Sequence, residues 1–571
     1  MQGRKAMARA SPGTIRLSLD RPTGNFWVDT GLVVLIEQFG EGEHPVQHVL
    51  DWLQSQLLQP SGNKGEYYDP ASGQMREYDK VNWVYPTNLF IKVSGQAAKI
   101  PVREALEELQ RKREQLEPEG RSNTPVGKKI AEDVEYLAAR LAKKEADRIF
   151  TEPPTFELSL NKLSNKPDTC DLCGEKAPLT DATMWMFPFV VDPQKFGTFY
   201  PGTKRGLRLC ARCALAGLAG YLGWLWKAQG RDALHFFIFH SELREMRRLH
   251  REVFEPLRVK GEKGGTVRVA FSGPYVNETR LGLVLELFRH VRQSDVLSDD
   301  ARELLASLLG ATSTVPPAPI TLYAVTGTPG QAFQMKALQE FSRLQRFYRL
   351  YESWLEVIRE HRIDPNPHQR LVQIWSQFWV QQGRERESMW VARLTRAGKR
   401  KVQQGRERES IWRERIAWAL LEFGDPTPFV EQFLFEVFEV RAREENPRPL
   451  VRGTIEVLNQ YLREVFAMNE QFQRTLAGFG YSLGTAAQQH NEMGLLYALR
   501  NAKSPEDFYR VLNDAQFRLE VTIPEALLRI ERGERIADAP WVRVKTLLSI
   551  YAMNAYLRKG SPQESQTKEE V

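Results

Sequence analysis

All four cysteines of the chain stand in two Cys-x-x-Cys pairs, Cys170-Asp-Leu-Cys173-Gly and Cys210-Ala-Arg-Cys213-Ala. Two such pairs supply four thiolates, the number a tetrahedral Zn²⁺ takes when no position is left open for a substrate. Gly174 directly after the first pair permits a tight knuckle whose backbone N–H groups turn toward the sulfurs. The second pair opens an apolar stretch, Ala214 to Trp226, which reads as a helix whose positive end favours thiolate. A treble-clef-like or ribbon-like structural zinc site on Cys170, Cys173, Cys210 and Cys213 is therefore expected. An iron–sulfur cluster uses the same ligands and stays open on this reading. A closed site of either kind holds a fold together and does not catalyse.

The same apolar stretch is the longest in the chain at thirteen residues, and a membrane-spanning helix needs about twenty. No membrane partner is expected. The first twenty residues carry Arg4, Lys5 and Arg9 with no apolar run behind them, so they do not read as a secretory signal. The expected compartment is the cytoplasm, where reduced thiols bind metal more often than they pair.

With 571 residues, 42% apolar and 26% charged, the composition is that of a globular protein of about three or four domains. The pattern suggests an α+β multidomain chain in three parts. Residues 1–155 read as a mixed α/β domain: Thr14 to Leu19 alternates like a strand, Val46 to Leu58 has helical spacing, and Leu89 to Val93 is strand-like. Two charged helices close it, Pro101 to Pro118 and Val126 to Phe150. Residues 156–330 read as strand-rich around the cysteines, with strands at Leu234 to Phe239, Val267 to Phe271 and Thr321 to Val325 and helices at Ser241 to Phe254 and Glu278 to Gln293. Residues 331–571 show the 3.6 period almost throughout and read as an all-helical bundle, with a polar, disordered tail from about 560.

The net charge of +7 is unevenly placed. Between Gln381 and Ile416 stand eleven basic residues, Arg384, Arg386, Arg393, Arg396, Lys399, Arg400, Lys401, Arg406, Arg408, Arg413 and Arg415, against five acidic ones, an excess of six. Such a stripe is the footprint of a phosphate-backbone contact; a solvated helix face is the competing reading. Within it Val380 to Ser388 (VQQGRERES) recurs letter for letter as Val402 to Ser410. An offset of 22 residues would bring both copies to about the same face of a continuous helix, though a local duplication without function accounts for the repeat as well.

Catalytic motifs fail on inspection. Gly480-Tyr-Ser482-Leu-Gly484 matches the nucleophile elbow in letters, but a helical stretch precedes it where a strand is required, so the glycines read as a helix terminus. Gly120 to Gly127 before Lys128 has the wrong spacing for a phosphate-binding loop. His44 and His48 lack the glutamate of a metal-hydrolase pair, and no cluster of carboxylates suggests a metal-dependent nuclease.

The segment Cys170 to Cys213, with its aromatic middle (Met184-Trp-Met-Phe-Pro-Phe189 and Phe196-Gly-Thr-Phe-Tyr200), resembles the CXXC–CXXC family of CRISPR-associated proteins, large subunits of type I, I-B-like, Cascade effectors. Near the N-terminus Thr23-Gly-Asn-Phe-Trp-Val-Asp-Thr-Gly31 is similar to that family's G-N-x-x-x-D-x-G element, with Phe26-Trp27 in place of Pro and Phe. The two regions cover about 55 residues. The resemblance implies a non-enzymatic subunit of an antiviral RNA-guided complex. Such a subunit binds guide RNA and double-stranded target DNA, reads the target-adjacent motif and docks a helicase-nuclease beside other Cascade subunits. It also suggests a motif-reading role for Asn25, by hydrogen bonding to a base edge, and for Trp27, by wedging or stacking; a turn with Trp27 in the core is the alternative. A zinc-containing nuclease or RNA-processing enzyme with dispersed catalytic residues is the competing function.

Overall fold

The computed structural model describes residues 13–83, 96–118, 123–142, 147–160, 163–164, 166–183, 186–187, 206–229, 232–259, 265–293, 320–328, 334–378, 411–441 and 449–558. They fall into two compact units. One comprises Met1–Glu252, Lys260–Thr266 and Thr321–Glu340, the other Val253–Val259, Val267–Ile320 and Phe341–Val571.

The first unit opens with β1 (Thr14–Leu17) and α1 (Phe26–Phe39), followed by β2 (Gly42–Pro45), which pairs antiparallel with β1, and α2 (Val46–Leu57). Asn25 starts α1 by accepting hydrogen bonds from the amides of Trp27 and Val28, the usual service of an N-cap side chain. The helix is buried on every side, from Trp27 and Val28 through Ile36, so it carries no apolar stripe for periodicity to find. Next come the hairpin β3 (Leu58–Asp69) and β4 (Gln74–Trp83), then β5 (Lys99–Pro101), α3 (Val102–Leu116), α4 (Pro125–Ala142) and β6 (Arg148–Phe150). The helix expected to run from Val126 to Phe150 thus ends at Ala142, and its last three residues are a strand paired with β5. Tyr68, Met75, Val102, Leu109, Ile130 and Leu137 form a small core of their own between hairpin and helices.

The cysteine segment contributes β7 (Asp168–Thr169), β8 (Lys176–Ala177), β9 (Leu179–Asp181), β10 (Arg208–Cys210) and α5 (Ala211–Gly223). A four-stranded sheet follows in the order β11 (Leu225–Gln229), β12 (Asp232–Phe239), β13 (Thr321–Thr328) and β14 (Gln334–Phe341), with α6 (Leu243–Leu249) after β12. Strand β14 lies beyond Gly330, where the sequence pattern predicted helix alone. Its apolar residues Met335 and Leu338, three apart, fit a helical period equally well, and backbone pairing to β13 decides the outcome. The predicted strand at Val267 to Phe271 reduces to one bridge, Arg258 to Val267.

The second unit is helical in the main, with α7 (Val276–Gln293), α8 (Leu344–Glu360), α9 (Pro367–Ser376), α10 (Trp412–Leu421), α11 (Thr427–Arg441), α12 (Thr454–Phe466), α13 (Glu470–Gln489), α14 (Met493–Asn501), α15 (Pro505–Leu519), the two-residue strands β15 (Arg535–Ile536) and β16 (Ala539–Pro540), and α16 (Trp541–Arg558). Local sequence starts several of them. Asn366, Asn469 and Ser504 cap α9, α13 and α15, with proline at the first turn of α9 and α15. Helix α8 buries Phe347, Leu350, Tyr351, Trp354, Leu355 and Ile358 on one face, and Trp354 meets Trp375 of α9 with ring centroids 5.3 Å apart. The Gly480–Gly484 motif lies inside α13 instead of at its end, and both glycines pack against α16, where a Cβ would meet Tyr551 or Ala552. Among the described residues no helix is long and apolar enough to cross a membrane.

Candidate metal centre

The four cysteines come from two turns of chain that their neighbours set. Cys170 and Cys173 lie in the turn between β7 and β8. There Gly174, at φ +72°, donates its amide to the Cys170 carbonyl at 3.0 Å, and the Cys170 amide returns to the Glu175 carbonyl at 2.9 Å. A left-handed glycine is what this reversal requires. Cys210 ends β10 and is the N-cap residue of α5, and Cys213 sits in the first turn of that helix. The Cys210 amide donates to the Cys170 sulfur at 3.3 Å.

The four Sγ atoms lie within 4.8 Å of one another, with Cys173 and Cys210 at 3.7 Å. A tetrahedral ion with Zn–S bonds of about 2.3 Å separates its ligand sulfurs by about 3.8 Å, so the cluster fits such an ion. Three of the cysteines are buried and Cys173 is half-buried. Packed this closely, the thiols compete for charge. Hydrogen bonds from Cys173, Cys210 and Cys213 pull Cys170 far below the ordinary thiol range, while hydrogen bonds to Cys170 push Cys210 and Cys213 above it. A divalent cation held there would remove that competition by binding all four as thiolates.

Around the cluster stand residues that the sequence reading did not single out. Arg212, between the two cysteines of the second pair, is 4% exposed, and its Nη1 donates to the Arg21 carbonyl at 3.0 Å. Burial works against its charge, but the electrostatic pull of Cys213, a hydrogen bond with the Cys173 side chain and the Glu175 carboxylate outweigh it and raise its pKa. Asp29 of α1 is fully buried and accepts from the Thr23 amide at 2.8 Å, the Thr23 hydroxyl at 2.7 Å and the Gly24 amide at 2.9 Å. Burial raises its pKa against the pull of those hydrogen bonds and of the Arg212 charge. The signal that could have found this pair is the placement of each inside a motif: Asp29 in the early element and Arg212 within a CxxC.

Helices α1 and α5 cross at van der Waals limits. A Cβ on Gly31 would lie 1.8 Å from the Ala216 carbonyl oxygen, and one on Gly220 would lie 2.7 Å from the Trp27 ring. Trp27 is 2% exposed, packs edge-on to Tyr221, Trp224 and Phe237, and donates from Nε1 to the Met186 carbonyl at 2.6 Å. Of the two places the sequence left open for this ring, the core holds it. Asn25 is half-buried, with Oδ1 engaged as the α1 cap.

Of the basic stripe, Arg384, Arg386, Arg393, Arg396, Lys399, Arg400, Lys401, Arg406 and Arg408 lie outside the described residues, as do both copies of the repeat. Arg413 and Arg415 are in α10. The Arg413 guanidinium is ion-paired with Glu278, both side chains being largely buried. Arg415 lies over the Trp412 ring at 5.1 Å. Between them Glu414 accepts from the Asn277 amide at 2.7 Å, the Asn277 Nδ2 at 2.6 Å and the Glu278 amide at 3.0 Å. It thereby satisfies amides at the start of α7 that have no partner within that helix.

No family model, no curated protein and no solved structure matches this chain.

Proposed function

We propose that the chain is a non-enzymatic large subunit of an RNA-guided type I CRISPR surveillance complex. In this role it binds guide RNA and double-stranded target DNA, reads the target-adjacent motif, and recruits a helicase-nuclease. The observation that carries the reading is the packing of its two family-like segments: Thr23 to Gly31 and the cysteine segment share one core, Gly31 against Ala216 and Trp27 against Met186 and Gly220. Segments so far apart in the chain, each resembling an element of the same family, would share a core if they belonged to one inherited module. The four cysteines then hold Zn²⁺ in a treble-clef-like site with a closed, structural role: knuckle β7–β8, hairpin β9–β10 and the start of α5. Sequence specificity is left to base pairing, and the protein supplies backbone and shape contacts, with the basic residues between Arg384 and Arg408 as the backbone-contacting set.

Sequencing of RNA that copurifies with the tagged chain tests this directly. The expected result is a population of short RNAs sharing a constant repeat-derived 5′ end. Absence of RNA, or turnover of labelled RNA or DNA by the purified chain, overturns the proposal; turnover favours a zinc-containing nuclease.

A further inference from the structure

The loop Arg21–Asn25, which leads into α1, belongs to no strand ladder and is held by side chains. Two of its tethers reach the cysteine cluster, and they run in opposite directions. Arg21 in the loop donates from Nη1 to the Glu175 carboxylate of the knuckle at 2.6 Å, while Arg212 between the second pair of cysteines donates to the Arg21 carbonyl at 3.0 Å. Asp29 takes the Thr23 and Gly24 amides and the Thr23 hydroxyl, and Asn25 is tied to α1 through the Trp27 and Val28 amides. Gly24, at φ +74° and with open space where a Cβ would be, forms the exposed tip.

The two anchors differ in strength. The Arg21–Glu175 pair is exposed, with side chains 49% and 37% accessible, and such pairs contribute little. Arg212 is buried, and its guanidinium reaches the Cys173 side chain within hydrogen-bonding range. A buried guanidinium is costly unless an anion lies beside it. The neighbours able to supply that anion are the Cys213 and Cys173 sulfurs, together with Glu175. Four thiolates around one divalent ion carry a net charge of two minus, and their positions fix residues 210–213, including Arg212.

We propose that Arg212 is a positioning residue that couples the metal centre to the Arg21–Asn25 loop, so that an ion held by the four cysteines fixes the loop in place. The coupling rests on geometry within this unit and stands whether or not the chain binds nucleic acid.

Hydrogen exchange followed by mass spectrometry on the full chain, with metal content measured in parallel, tests it. Stripping the ion with a chelator, under conditions where the far-ultraviolet helix signal persists, is expected to lower protection at the Thr23 and Gly24 amides by about tenfold or more, with α16 unchanged. Arg212→Gln with its metal retained is expected to loosen the same amides, and Arg212→Lys to restore part of the protection. Glu175→Gln, which removes only the exposed anchor, is expected to change protection less than twofold. Unchanged loop protection in the stripped protein, or in metal-loaded Arg212→Gln, overturns the proposal. Should Arg212→Gln fail to fold, the stripped wild-type protein decides the matter alone.

Discussion

Gly484 has no room for a methyl group: a Cβ there would lie 1.9 Å from the carbonyl oxygen of Ala552 on α16. The obstacle is backbone, so a side chain can be admitted only by moving one helix off the other. Gly484→Ala is expected to destabilise the helical unit by about 1–3 kcal/mol. Gly478→Ala in the same helix, where nothing lies within 4 Å, should be neutral or slightly stabilising; denaturant melts of the two variants give the comparison. Glu431 on α11 is a different kind of residue. It is 7% exposed, and burial pushes its carboxyl up to about 7 against the charges of Lys545 and Arg500 and a hydrogen bond with Ser549. An acid whose pKa is raised on folding stabilises the folded state when protonated. That contribution is fully present below about pH 4.5 and is lost as pH rises through about 7. Glu431→Gln is therefore expected to flatten the fall in melting temperature between these limits and to raise it by several degrees at pH 8, as a pair of pH-resolved thermal melts would show.

At the level of elements, what sequence could reveal depended on whether the deciding contact was local. The cluster of four cysteines was legible because a CxxC brings its own turn, and Gly174 marked that turn. Helices such as α8 were legible because they bury one face. Helix α1 was not, because apolar residues surround it and leave no period; its only local sign is Asn25 ahead of Asp29. Strand β14 was not, because its partner β13 supplies the decisive hydrogen bonds. Arg413 and Glu414 show the same limit. Within a charged run they read as surface, yet they bind the start of α7, more than a hundred residues earlier. Glu414→Ala strips three amide hydrogen bonds from that helix start and is expected to cost about 2–4 kcal/mol. Arg415→Ala, which loses the contacts of an exposed side chain with the Trp412 and Phe429 rings, should cost less than about 1 kcal/mol. Equal costs for the two would show that the carboxylate cap contributes nothing beyond surface charge.

For the whole molecule, removing Arg413 and Glu414 from the stripe between Gln381 and Ile416 leaves ten basic and four acidic residues, the same excess of six. On the proposed function, the charge that would meet a nucleic-acid backbone is therefore not reduced by the engagement of these two in internal contacts. Charge reversal at Arg396, Lys399, Arg400 and Lys401 is expected to weaken binding to matched and mismatched targets alike. It should also flatten the dependence of log affinity on log salt by up to about four contacts at roughly 0.7–0.9 each. A wild-type salt slope in that variant would make the stripe a solvated surface. Another property of the whole chain follows from β12 pairing with β13, Phe239 opposite Thr321. During synthesis the partner strand emerges only after residues 240–320 have been added, roughly 4–16 s later at ordinary translation rates. Over that interval Phe236, Phe237 and Ile238 have no neighbour on that side. The nascent chain thus passes through a stage at which the cysteine cluster can already close while an apolar strand edge still awaits its partner.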